Sequence, residues 1–313
     1  MINLAGNSKQ LDIILPNTNR ALAEVIKNAS SKELQILSQS KDLKSILSSL
    51  LTQSSQKNTN DSALLDLLKN NPTLKSLGSA SNNLKDLLNA VKTEKTPLPV
   101  EATLKTFLTN VKDLNEPVLK QKIENSGIFL ESKLKNANTQ NMKELISNDL
   151  KSVLLKAHEE INSSTLANKT EILKHVDKLL LQIDYHQLLS HLSNSSSLYI
   201  PFSWEQLQEG HINIKKDKDD KFYCDIDLNL KEYGALNLKL ALYDENQLNL
   251  RIYSDSIEFK EIIKENIASL RSALIENSVT PREIRLLDLT EADTPLPYQD
   301  DSTTIDIGFE VKV

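Results

Sequence analysis

The C-terminal third of the chain places the tightest constraint on its fold, because three of its segments alternate apolar and polar residues with a period of two. Cys224, Ile226, Leu228 and Leu230 fall on one face of the first segment, Leu236, Leu238, Leu240 and Leu242 on one face of the second, and Leu248, Leu250 and Ile252 on one face of the third. Phe259, Ile263, Ile267, Leu270 and Leu274 then follow at steps of four, four, three and four, which is one side of a 3.6-residue helix. A sheet with an apolar face and a helix with an apolar stripe bury each other. The expected fold class is therefore α+β: a helical, partly disordered N-terminal region, then a small antiparallel sheet with one long helix packed on it.

Composition divides the chain in the same place. Of 14 aromatic residues, only Phe107, Phe129, Tyr185 and Tyr199 lie in the first 200 positions. Aromatic side chains bury the most area per residue, so the two parts are stabilised differently. The front part, rich in Leu, Ile, Ser, Asn and Lys, is expected to pack thinly as helices. With 43 acidic against 37 basic residues, the chain has no field to draw in a nucleic-acid backbone. The lone Cys224 excludes an intramolecular disulfide and, beside Ile226 in the alternation, reads as core. The start, MINLAGNSKQLDIILPN, lacks a basic lead and an apolar run, and no stretch of about 18 apolar residues occurs. A cytoplasmic chain without membrane insertion is expected, one that a secretion route using uncleaved polar N-termini could still export.

Between residues 19 and 192 the pattern is of helical pieces separated by Asn, Ser, Pro and Thr clusters: one around Leu22, Val25 and Ile26, a longer one over Leu34 to Leu51, and a short one over Leu64 to Leu68 before Asn71-Pro72. The stretches 55–62 and 93–99 read as joints. Leu104, Phe107, Leu108, Val111 and Leu114 read as one helical face, and a last long helix is expected from Thr170 to Leu192. The serines of SNSSSLYIPFSW read as linker, with Tyr199, Ile200, Phe202 and Trp204 as anchors against the sheet, and His211 to Lys216 as the first edge strand. The expected domains are 1–116, polar and helical or partly disordered; 117–192, helical; 193–209, linker; 210–290, the α+β domain; and 291–313, an acidic linker with a terminal strand. In that strand Ile305, Ile307, Phe309, Val311 and Val313 alternate with polar residues and Gly308, so it should pair with the edge of its own sheet or with a partner.

Motifs for catalysis are missing. Six glycines form neither a phosphate loop nor a dinucleotide fingerprint. His175, His186 and His191, at spacings of eleven and five, do not put three metal ligands on one helical face. Asp217, Asp219 and Asp220 lack the Gly and closing Glu of a calcium loop. His158 stands beside Glu159 and Glu160 without a nucleophile or oxyanion donor in any recognisable phrase. The chain is expected to be no enzyme and to carry no cofactor or metal. Binding is the expected activity, with Leu230, Tyr233, Gly234 and Leu236 at the turn between two strands, and Ile305, Ile307 and Phe309 in the tail, as candidate partner-binding residues.

The wording of residues 228 to 289, LNLKEYGALNLKLALYDENQLNLRIYSDSIEFKEIIKENIASLRSALIENSVTPREIRLLDL, resembles the C-terminal domain of bacterial flagellar hook-length control proteins. There a leucine-alternating hairpin around a Leu-Gly turn leads into a helix that ends in a Leu-Arg-x-x-Leu phrase. Where the family usually reads Leu-x-Pro-x-x-Leu-Gly, this chain has Leu230-Lys-Glu-Tyr-Gly234. Two further phrases are similar to the family: Ser126, Gly127, Ile128, Phe129, Leu130, Glu131, Lys133 and Leu134, and then Asp149, Leu150, Lys151, Leu154 and Leu155.

The resemblance implies an exported ruler and switch of the flagellar type III export apparatus. The N-terminal region would span the growing hook, and the C-terminal domain would then engage the cytoplasmic domain of the export-gate switch protein, ending hook export and beginning filament export. Hook or hook-cap subunits are further partners it implies. Some 200 residues reach about 300 Å as helix and about 660 Å fully extended, so only a largely unfolded N-terminal region makes a long ruler. The rival reading keeps the domain and drops export: a cytoplasmic binding protein of the same apparatus.

Overall fold

The computed structural model describes residues 20–21, 24–25, 61–94, 99–137, 142–193, 195–217 and 221–289. They group into two compact units, one of Met1–Leu192 with Pro201–Trp204, the other of Ser193–Ile200 with Glu205–Val313. The expected helix over Leu34 to Leu51 and the tail residues Ile305, Ile307 and Phe309 lie outside the described residues.

The first unit is helical: α1 (Asp61–Asn70), α2 (Pro72–Lys75), α3 (Ala80–Lys92), α4 (Pro99–Lys105), α5 (Glu116–Glu124), α6 (Leu130–Asn136), α7 (Met142–Asn148), α8 (Leu150–Ser163) and α9 (Lys169–Ser193). Short polar side chains start several of them. Asn71 Oδ1 accepts from the amides of Thr73 and Leu74, Asn115 Oδ1 from Val118, and Asp149 Oδ1 from Lys151. The core is almost wholly aliphatic, with Leu68, Leu87, Leu104, Leu154, Ile161, Ile172 and Leu180 out of solvent. The helical face expected over Leu104 to Leu114 is broken. Helix α4 stops at Lys105, and a short 3-10 turn at Val111–Asp113 follows, begun by Asn110, whose side chain accepts from Lys112. The backbone between them is used elsewhere: Ser203 donates to Thr109 O at 2.7 Å, and Val111 donates to Ser203 O at 2.8 Å. Periodicity cannot foresee such a pairing across 94 positions of chain.

The second unit is a six-stranded sheet in the order β1 (Ser196–Tyr199), β2 (Leu207–Lys216), β3 (Phe222–Leu230), β4 (Gly234–Tyr243), β5 (Gln247–Ser254) and β6 (Thr280–Leu287). The first five pair antiparallel; β6 lies parallel to β5, after the helix α10 (Ile257–Glu276) has crossed back. The sheet is therefore mixed, and α10 packs against β5 and β6. Register brings the alternating residues into cross-strand rows: Ile212, Ile226, Leu238 and Ile252 in one, Ile214, Cys224, Leu240 and Leu250 in the next. Part of the serine-rich stretch that reads as linker is the edge strand β1, with Leu198 and Tyr199 both buried, so His211 to Lys216 lies one strand in from the edge. Ser256 Oγ caps α10 by accepting from the amide of Phe259.

Candidate partner-binding surface

The apolar face of the sheet is unevenly covered. On β5, where α10 packs, Leu248, Leu250 and Ile252 are buried, but their neighbours Leu238, Leu240, Leu242, Ile226 and Cys224 are only half-buried, and Phe222 is exposed. The helix repeats this incompleteness. Phe259, Ile263, Ile267, Leu270 and Leu274 are half-buried, while Ile257, first residue of α10, is 77% exposed and Ile275 62%. A single helix is too narrow to close a face of six strands, so a strip of aliphatic surface is left half-covered.

Towards the β3–β4 turn the same face closes, with Leu228 9% exposed. Gly234 there has φ +71°, with nothing within 4 Å of where a Cβ would stand. Leu230 and Leu236 are 2% and 6% exposed, so they support the turn from within the core. Tyr233 is half-buried and stacks on Phe259 of α10, with centroids 4.7 Å apart and planes at 24°. That stack ties turn to helix, and no spacing in the sequence foretold it.

The other face of the sheet sets polar and charged residues beside the buried Tyr223, Ala241 and Tyr253. His211 Nε2 lies 2.8 Å from Asp227 Oδ2, and Asn237 donates to the same carboxylate. Burial pushes Asp227 up, but the hydrogen bonds from His211 and Asn237 and the charges nearby outweigh it, leaving its pKa below the ordinary value. Burial holds Asp225 above its ordinary range against the pull of Lys239, and drops Lys215 to about 8 against Asp217 and Asp225. Burial, with the Asp225 charge, raises the Cys224 thiol to about 12, which leaves it protonated and unreactive at neutral pH. Among the described residues, no group of three or more His, Cys, Asp or Glu is placed to hold a metal ion.

In the helical unit, the two short phrases from the 126–134 and 149–155 regions meet. Gly127, at φ +92°, lies so close to α8 that a Cβ would stand 2.8 Å from both Cβ and N of Lys151. Lys151 is 3% exposed, and its Nζ donates to Glu131 Oε1 at 2.6 Å, Gln187 Oε1 at 2.6 Å and Asp184 Oδ1 at 3.0 Å. Burial alone would lower its pKa; Glu131 and Asp184 outweigh that and raise it. Lys133 donates to Asp149 Oδ2 at 3.2 Å, yet burial dominates there and raises Asp149 to about 6. A cluster of this kind contributes little net stability over an apolar one, but removing one member strands a buried charge.

Residues 210–291 match the family model described as flagellar hook-length control protein FliK, a stretch that starts within β2 and runs past β6. No curated protein and no solved structure matches the chain. Among the described residues, no helix is long and apolar enough to cross a membrane.

Proposed function

We propose, for a chain whose residues 210–291 form a domain of the flagellar hook-length control family, a role as the ruler and switch that ends hook export. The family match is the observation that carries the reading, since it falls on the half-covered sheet and its helix. The half-covered aliphatic strip and, beyond the buried Leu228 and Leu236, the turn with Tyr233 and Gly234 engage the cytoplasmic domain of the export-gate switch protein. Leu230 and Leu236 hold the turn in place from beneath. No bond is made or broken by this chain; timing and recognition are the activity. The N-terminal region passes through the export channel and reports hook length, and the tail residues Ile305, Ile307 and Phe309 add to the contact.

Titration calorimetry of the full chain against the cytoplasmic domain of the switch protein tests the contact. Tyr233→Ala removes the stack on Phe259 and should weaken binding about tenfold with little change in melting. Undiminished binding would remove the turn from the interface, and no binding by the native chain would remove the partner.

A second reading has its own support. The built ionic core around Lys151, Glu131 and Asp184 suits a chain that works folded, which favours a binding protein of the export apparatus that stays in the cytoplasm. Recovery of the native protein from culture supernatant separates the two.

A further inference from the structure

Strand β1 belongs to the sheet, yet the chain on both sides of it belongs to the helical unit. That unit runs to Leu192, the sheet takes Ser193–Ile200, the helical unit takes Pro201–Trp204, and the sheet resumes at Glu205. Both flanks are fixed within the helical unit. Before β1, Leu188, Leu189 and Leu192 of α9 are buried in one cluster with Leu68, Leu74 and Leu77. After it, Ser203 is 7% exposed and held in three ways: its amide donates to Thr109 O at 2.7 Å, its carbonyl accepts from the amide of Val111 at 2.8 Å, and its Oγ accepts from Lys85 Nζ of α3 at 2.6 Å. The strand between these flanks is short. Its four residues, Ser196 to Tyr199, pair with Ile214 to His211, and among the described residues β2 is the only strand they pair with. Leu198 and Tyr199, on opposite faces, are 2% and 3% exposed. The family match starts at residue 210, past β1, so this strand is an addition to the edge of that domain.

We infer that β1 is a coupling strand: it stays on β2 only while the helical unit is folded, and unfolding of that unit strips it from the sheet and leaves β2 as the edge. Entropy sets the dependence. Four residues at an edge gain few ladder hydrogen bonds and bury two large side chains, against the cost of ordering the whole stretch from Ser193 to Glu205. With α9 and Ser203 in place, the chain on either side of β1 is already ordered by other contacts, so little of that cost falls on the strand. With the helical unit unfolded, all of it does. The rest of the sheet does not share this dependence, because β2, β3, β4 and β5 pair in sequence order over eight or nine positions each and carry the apolar rows. The folded state of the helical unit is thereby reported to the sheet that carries the candidate surface. The occasion on which that unit unfolds rests on the proposed export role; the coupling itself does not.

Hydrogen exchange of the purified full chain, read by mass spectrometry, tests the coupling apart from any role in the flagellum. Leu180→Asp puts an unpaired charge at a position of α9 that is 0% exposed, and should unfold the helical unit. In that variant, peptides from α8, α9 and β1 should exchange at least about a hundredfold faster than in the native chain, while those from β3 to β5 stay within about threefold of it. Ser203→Ala removes only the acceptor for Lys85, and should speed exchange in β1 about fivefold with α8 and β3 to β5 unchanged. Protection kept in β1 while α8 and α9 lose theirs would overturn the coupling. Loss that spread equally to β3 to β5 would overturn it as well, since the whole sheet rather than one strand would then depend on the helical unit. Unchanged exchange of β1 in Ser203→Ala would overturn Ser203 as the point of attachment.

Discussion

Three glycines have positive φ among the described residues, and they are expected to respond very differently to a methyl group. Gly78 and Gly234, both at φ +71°, have nothing within 4 Å of a built Cβ. Alanine there pays only for the left-handed backbone, about 1 kcal/mol. At Gly127 the same methyl would lie 2.8 Å from the Cβ and the backbone N of Lys151 and 3.0 Å from Ile183 Cδ1. The backbone atom cannot turn aside, so α8 must shift, and with it the Lys151 contacts to Glu131 and Asp184. Overpacking of a core typically costs about 1–3 kcal/mol, so the expected total for Gly127→Ala is about 2–4 kcal/mol. Trp204, the chain's one tryptophan, groups with the helical unit, so its fluorescence during urea titration reports that unit's unfolding. Gly78→Ala, in the same unit, is the control. A Gly127→Ala midpoint within about 0.5 kcal/mol of the control would refute the close approach of the two phrases.

Three other outcomes follow from particular groups. Asp149 titrates at about 6 when folded against 3.8 in its ordinary state, so the folded chain binds the extra proton between those values and this group's contribution to stability falls as pH rises through that window. Asp149→Asn stays neutral and retains a cap acceptor, so relative to the native chain it should gain about 2 kcal/mol between pH 4.5 and 7 in urea titrations; a pH-independent difference would contradict the buried charge. Cys224, with its thiol raised to about 12, should react with iodoacetamide at pH 8 about a thousandfold slower in the folded chain than in urea; equal rates would place it outside the sheet. Leu250→Asp puts an unpaired charge into a position 4% exposed, and should abolish amide protection across β3 to β5; retained protection would refute the packed apolar face.

The sequence foretold most where one local pattern decided the structure. The alternation over 224–230, 236–242 and 248–252 marked β3, β4 and β5, and the 3.6-residue spacing from Phe259 marked α10, because each element has one buried face. Strand β6 escaped notice because a parallel neighbour needs no turn signal, and because Pro281, Arg282, Glu283 and Arg285 leave only Ile284 and Leu286 on the apolar side. Strand β1 was concealed by its serines, Ser196 and Ser197, which pair with Ile214 and Asn213 of β2, while Ser195 just before the strand donates to the Asn213 side chain. At the candidate surface the turn was readable from Gly234. The Tyr233–Phe259 stack was not, since it joins elements 26 residues apart by shape alone. The ionic core of the helical unit has the same character: Glu131, Lys151 and Asp184 come from three helices, and no periodicity relates them.

The role in hook-length control is decided in the flagellated host. Deleting the gene and measuring hooks by electron microscopy should show hooks longer than native and without filaments, restored by the full chain and not by one carrying Leu250→Asp. Hooks of native length bearing filaments in the deletion strain would contradict it.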